Sequence, residues 1–223
     1  QSLYFCLGAY AAGILNAKYG VTDMLVAIGA GALVAGAVAF LLGFLMASYR
    51  HIFFATLSLA FSMILYGLIV KSADLGSTDG FNLSSPTIVG ITLASKDNQY
   101  LKLILGAVLA AAGTVMLWRY LRTPLGRLAP AIRDNELRVE YMGASVQHVV
   151  HVNYTIAGLL GGIGGALAAL TVGHIDPDSM AYWTVSGELV FIAVLSGTTS
   201  VIAPFLAALV FETVRMLAHD YSP

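Results

Sequence analysis

Residues 24–49 read MLVAIGAGALVAGAVAFLLGFLMASY, without one charged side chain. A helix crosses the ~30 Å hydrocarbon layer of a bilayer in about 20 residues, so a stretch this long and this apolar reads as a membrane span. The same rule marks residues 3–17, 52–70, 101–118 and 152–172. A last apolar stretch, 184–217, is too long for one straight span, and SGTTSVIAP breaks it: Gly197 and Pro204 are poor inside a helix, and Ser200 offers the backbone a competing hydrogen bond. Divided into 184–196 and 201–217, it brings the expectation to about seven membrane segments in an all-α, polytopic bundle.

Composition agrees. Charged residues make up 10% of the chain and hydrophobic ones 58%, whereas soluble domains carry roughly 25% charged residues. Net charge is −1, and no basic stretch is interleaved with aromatics, so nucleic acid is excluded as a partner and membrane lipid is the expected surroundings. The single cysteine, Cys6, lies in an apolar run and reads as a small buried hydrophobe. The chain opens at Gln1 without an initiator Met or a basic region ahead of an apolar one. No signal peptide can therefore be read, and we expect one transmembrane domain over 1–223, cut at its N-terminus.

Basic residues set the orientation. Arg119, Arg122, Arg127, Arg133 and Arg138 are five of eleven Lys and Arg, and all lie between the fourth and fifth spans, which makes that connection cytoplasmic. Arg50 and His51 then form a cytoplasmic turn. KYGVTD, residues 71–99 and GHIDPDSMAYW fall outside, with Asp23, Asp74, Asp79, Asp97, Asp176 and Asp178 against Lys18, Lys71 and Lys96.

Helices in lipid associate where small residues let backbones approach. GAGALVAGAVAFLLG and AGLLGGIGGALAAL meet that need, and in the second Gly158 and Gly162, then Gly161 and Gly165, recur every four residues as helix-packing positions. Ionisable residues within spans are costly and therefore functional candidates. Glu188 either faces a watery cavity or lies at headgroup depth, while Glu212 and Arg215 read as an interfacial pair. His148, His151 and Asn153 read as polar residues at a span entry. No carboxylate or thiol completes a metal set there, and no paired nucleophile and base suggests an enzyme.

The charged connection RLAPAIRDNELRVEYMGASV needs a separate account. Pro124 and Pro130 are expected to stop the preceding helix. A new helix of about two turns is expected to begin with Asp134 as N-cap, to carry Asn135 and Glu136 in its first turn, and to end at Gly143. Leu137, Tyr141, Val139 and Met142 supply apolar contacts, and Asp134 and Arg138 an i, i+4 pair. Two turns are unstable alone in water, so the helix must dock unless the segment is only a solvated loop. Mixed charge argues against a lipid surface and for a protein partner in the cytoplasm.

GRLAPAIRDNELRVEYMGASVQHVVHVNYTIAGLLGGIGGALAAL resembles the cytoplasmic-loop region of LivM-type permease subunits of branched-chain amino acid ABC importers, with their GR-x-x-x-AIR-x-(D/N)-E pattern, following Gly and Gly/Ala-rich span. YFCLGAY, FFATLSLAF, STDGFN and SGELVFIAVLSGTTSVIAPFLAALVFE resemble the family in the same order. Family members usually carry more chain before YFCLGAY and another apolar span after HDYSP, so the sequence reads as lacking N-terminal and C-terminal segments. SGTTSV also stands where a Gly-Gly-rich turn is more usual.

The resemblance implies a coupling helix seated on an ATPase subunit, with Arg133, Asp134, Asn135, Glu136, Arg138, Tyr141 and Gly143 as the contact region. It further implies a second homologous permease subunit, two ATP-binding subunits, a periplasmic or lipid-anchored solute-binding protein and a bacterial inner-membrane location. No G-x-x-x-x-G-K-[ST] loop occurs, so ATP and Mg belong to the partners and no cofactor is expected on this chain. Candidates for the translocation path or gate are Thr56, Ser58 and Phe61, then Asp79, Gly80 and Asn82, then Glu188. The rival reading is a self-sufficient secondary transporter or channel, which would need more intramembrane charge. LivM-like permeases serve leucine, isoleucine and valine, and relatives handle urea, amides and aromatic acids; nothing in the spans selects among them.

Overall fold

A computed structural model describes residues 1–88, 91–92, 97–197 and 200–221. Ten α-helices carry the fold: α1 (Ser2–Tyr19), α2 (Met24–Met46), α3 (His51–Lys71), α4 (Asp97–Leu121), α5 (Pro124–Asp134), α6 (Glu136–Tyr141), α7 (Val146–Val172), α8 (Pro177–Met180), α9 (Trp183–Ser196) and α10 (Ala203–Tyr221). Four strands of two residues each occur in the connections: β1 (Phe81–Asn82), β2 (Thr87–Ile88), β3 (Ile91–Thr92) and β4 (His174–Ile175). Lys96, Thr198 and the last residues of HDYSP lie outside the described residues.

The expected seven spans become five among the described residues: Met24–Met46, Ile52–Lys71, Tyr100–Leu121, Val146–Val172 and Pro177–Ser196 are the helices long and apolar enough to cross a membrane. α1 is helical throughout but ends in Asn16 and Lys18, and α10 carries Glu212 and Arg215, so neither supplies an uninterrupted apolar run of that length. The expected break at Gly197 does separate α9 from α10, and Gly197 takes φ 67°.

Helices α1, α2 and α7 make the central pack. Glycine is what allows it. A Cβ on Gly162 would stand 2.4 Å from the Ala35 Cβ of α2, and one on Gly165 would stand 1.8 Å from the Phe5 carbonyl oxygen of α1. Gly158 likewise presses on Ala39 of α2, whereas Gly161 meets the Tyr4 Cβ of α1. The two glycine pairs thus serve two partners: Gly158 and Gly162 fit α2, Gly161 and Gly165 fit α1. Cys6 is fully buried in the cluster that also contains Tyr10, Ile69, Ala169 and Met180.

Connections sort cleanly by side. The α3–α4 and α7–α8 connections pair through antiparallel β1 and β4, Phe81 opposite Ile175 and Asn82 opposite His174. The α1–α2 turn joins them, with Asp23 bridged to Thr87 and the Thr22 and Thr87 hydroxyls 2.9 Å apart. All three are connections that the charge count places outside. Connections assigned to the cytoplasm meet one another instead, as described next.

Candidate coupling lever and translocation seam

The polar connection between α4 and α7 is more helical than its prolines suggest. Thr123 caps α5 by accepting from the Gly126 N–H at 3.2 Å, and Pro124 occupies the first turn, where its missing N–H has no helical partner to lose. Pro130 lies inside α5. The preceding helix α4 does stop at Leu121, ahead of Pro124, as expected; the stop expected at Pro130 is corrected, because α5 runs through it as its seventh residue and forgoes the one backbone bond that the missing N–H would have donated.

The expected N-cap also moves by one residue. Asp134 closes α5, and Asn135, extended at φ −162°, caps α6 by accepting from the Arg138 N–H at 3.0 Å. Asp134 and Arg138 then belong to different helices, and no ion pair joins them. At the other end Gly143, at φ 84°, donates to the Glu140 carbonyl at 2.9 Å, and Ala144 donates to Val139 at 3.3 Å. These two bonds form a Schellman motif, which satisfies the last carbonyls of α6.

Val139 is 1% exposed and joins Ile132 of α5 with Val146 and Val149 of α7 in a small separate core. Burying such a side chain contributes roughly 1.5–3 kcal/mol, which is what holds a six-residue helix that could not persist alone. The other apolar residues of α6 point away. Leu137, Tyr141 and Met142 are exposed, Tyr141 at 88%. Of the four residues expected to supply apolar contacts, Val139 makes its contacts within the chain and the other three are on the surface.

Glu136 reaches back to the turn between α2 and α3. Arg50 Nε donates to both of its carboxylate oxygens, at 2.9 and 3.0 Å, while Arg50 Nη1 donates to the carbonyls of Ala47 and Tyr49. A partly exposed pair of this kind contributes at most ~1 kcal/mol to stability, so its importance is positional. Nothing in the sequence signals this contact between residues 86 apart. The base of α7 has further ties. Tyr120 donates to Asn153 Oδ1 at 2.7 Å, and His151, buried against Phe40, Phe44 and Gly43, places Nε2 2.9 Å from the Phe40 carbonyl oxygen. His151 and Asn153 thus lie within α7, which begins six residues before the expected 152 because Ser145 caps it through the His148 N–H.

The candidate path residues fall into three places. Thr56 is exposed on α3 and donates to the Ile52 carbonyl one turn earlier in the same helix, Ser58 is half-buried, and Phe61 packs beside Tyr4 and Tyr154. Asp79 and Asn82 are exposed in the α3–α4 connection; Asn82 Oδ1 lies 2.9 Å from His174 Nδ1, and Gly80 lies so close to Ile175 that a Cβ would stand 1.9 Å from its carbonyl oxygen. Glu188 stands apart from both. Its carboxylate lies 3.6 Å from the Arg215 guanidinium, which also lies 3.8 Å from Glu212, so the expected pair is part of a triad joining α9 to α10.

Hydroxyl groups form a seam that residue type alone did not single out. The Ser2 and Ser62 oxygens are 2.6 Å apart, Ser186 donates to Ser2 at 2.7 Å, and Ser62 donates to the Ala181 carbonyl at 3.4 Å, which joins α1, α3, α9 and the end of α8. One turn away, Tyr4 and Tyr154 meet edge to face at 5.6 Å, and Phe54 meets Tyr154 the same way. Both tyrosine hydroxyls are buried without a hydrogen-bond partner. Each such group costs ~1–3 kcal/mol. The available signal was Ser58 and Ser62, four apart within an apolar run.

Five helices long and apolar enough to span, with connections stitched together at one end and a docked polar helical element at the other, define a multi-pass membrane protein. The chain belongs to the family described as branched-chain amino acid transport system / permease component, whose sequence profile matches residues 1–223. Two curated relatives, each named high-affinity branched-chain amino acid transport system permease protein LivM, from Escherichia coli K12 and Salmonella typhimurium LT2, are 26% identical over 241 aligned residues, covering 98% of this chain and 56% of theirs. The chain thus spans about half the length of the curated relatives it matches. No solved structure matches it.

Proposed function

We propose that the chain is a translocation subunit of an ATP-driven importer in a bacterial inner membrane, carrying branched-chain amino acids or related small polar solutes. Its partners are a second homologous permease subunit, two ATP-binding subunits and a solute-binding protein on the outer side, and ATP with Mg is held by the ATPases. The carrying observation is α6: capped at both ends, anchored by Val139, and presenting Leu137, Tyr141 and Met142 outward beside Arg138 and Glu140. Such a surface suits a groove on a motor protein. Arg133, Asp134, Asn135 and Glu136 enter that contact from the α5–α6 junction, and Gly143 fixes where the helix ends.

Movement of α6 reaches the bundle by two routes, through the Val139 core into α7 and through Glu136 and Arg50 into the α2–α3 turn. Close glycine packing lets small displacements repack whole helix faces, so the bundle alternates between two arrangements. Thr56, Ser58 and Phe61, the outer Asp79, Gly80 and Asn82, and Glu188 remain the proposed path and gate.

Reconstitution decides it. Proteoliposomes holding the permeases and ATPases, given binding protein and radiolabelled leucine, should accumulate leucine only while ATP is hydrolysed. Uptake persisting without the ATPases would favour a channel or secondary carrier.

A further inference from the structure

Two buried, unpartnered hydroxyls lie side by side in the middle of the bundle. Tyr4 is 2% exposed and Tyr154 8%, and the Tyr154 hydroxyl lies beside those of Tyr4 and Ser58, yet neither tyrosine oxygen closes a hydrogen bond. Ser58 and Ser62 are the eighth and twelfth residues of the 21-residue α3, roughly 10 and 16 Å along a helix of about 31 Å, so the seam sits at mid-membrane depth. Ser62 is already satisfied by Ser2 and Ala181, and Ser186 by Ser2. The serines tie α1, α3 and α9 together, while the tyrosines hold unused hydrogen-bonding capacity between α1, α3 and α7.

We propose that Tyr4 and Tyr154, with Ser58, form the station at which the transported solute is hydrogen-bonded midway across the membrane, and that the structure shows this station closed. The proposal rests on the permease reading above. Aromatic faces of Phe54 and Phe61 wall the site, and its polar groups are all neutral hydroxyls. A hydroxyl accepts from an ammonium and donates to a carboxylate or carbonyl. The matching cargo is therefore a zwitterionic or neutral small molecule with an apolar side chain, because a net charge would lie unpaired at this depth. Closure buries both hydroxyls, and parting of α1 from α7 exposes them to the solute.

The test uses the whole importer in proteoliposomes. Tyr4→Phe and Tyr154→Phe keep the rings and remove only the hydroxyls, and Tyr10→Phe removes an equally buried unpartnered hydroxyl from the outer cluster. The double variant should lose at least tenfold in radiolabelled leucine uptake while complex assembly and ATP hydrolysis stay within twofold; Tyr10→Phe should transport within twofold of the parent. In a Cys6→Ala background, Ser58→Cys should react with a small hydrophilic methanethiosulfonate during ATP turnover and be protected by excess leucine. Leucine uptake by the double variant within twofold of the parent, or a Ser58→Cys thiol that stays unreactive throughout turnover, overturns the proposal. Should the parent complex hydrolyse ATP without importing leucine, the cargo assigned above is wrong. Labelling during turnover still decides the station then, since reaction of the thiol supports it and silence overturns it.

Discussion

Arg50 Nε grips both carboxylate oxygens of Glu136 at 2.9 and 3.0 Å, binding the turn after α2 to the first residue of α6. The pair is partly exposed, so Arg50→Ala or Glu136→Gln should shift thermal unfolding by no more than the equivalent of ~1 kcal/mol. Coupling should suffer more: leucine imported per ATP hydrolysed is expected to fall several-fold in either variant. Partial recovery in the charge-exchanged double variant would show that the link itself carries the effect.

Val139 and Tyr141 are two residues apart on α6 but face opposite surroundings. Val139→Ala should destabilise the attachment of α6 by about 2 kcal/mol, seen as faster amide exchange across 136–144. Tyr141→Ala should leave that exchange unchanged and weaken co-purification of the ATPase subunits. Equal effects of both variants on exchange would contradict the division into anchor and docking face.

Glycines of α7 should divide by what they touch. Gly165→Ala forces a Cβ into the Phe5 carbonyl, and Gly162→Ala forces one against Ala35, so each should lower stability by ~1–3 kcal/mol or more and reduce yield in the membrane. Gly29→Ala and Gly106→Ala meet nothing within 4 Å and should be neutral or slightly stabilising. Melting curves of the detergent-solubilised complex distinguish the two groups.

Arg215 balances two carboxylates, Glu188 and Glu212. Arg215→Ala leaves both negative charges without their cation and should cost more membrane-inserted protein than Glu188→Ala. Replacing all three with Ala should recover part of the loss. A triple variant as depleted as Arg215→Ala would show that the charges do not act as a unit.

The spans were legible because lipid imposes one strong rule, and residues 24–46, 52–70 and 146–172 obey it with runs free of Asp, Glu, Lys and Arg. Gly143 was legible for a different reason: a glycine after a short helical pattern has few other uses. The α5 helix was not, because proline disfavours helix on average: Pro124 escapes that rule at the first turn, while Pro130 is carried in the helix interior at the loss of one backbone bond. The link from Glu136 to Arg50 and the meeting of Tyr4 with Tyr154 were invisible because each joins residues far apart in sequence. Only the packing of α1, α2, α3 and α7 brings them together. The Glu188–Arg215 contact had the same cause, since the hairpin of α9 and α10 had first to be closed.

Helix α7 ends at one side in the Val139 core and at the other beside β4, which is paired to β1. At 27 residues it is a strut about 40 Å long, tied down at both ends. Linkage between two sites on one body is reciprocal in free energy. If a motor tugging at the inner end reshapes the outer clasp, then a carrier protein landing on that clasp must tilt the motor's own nucleotide preference by an equal amount, which makes this single helix a signal line readable from either face.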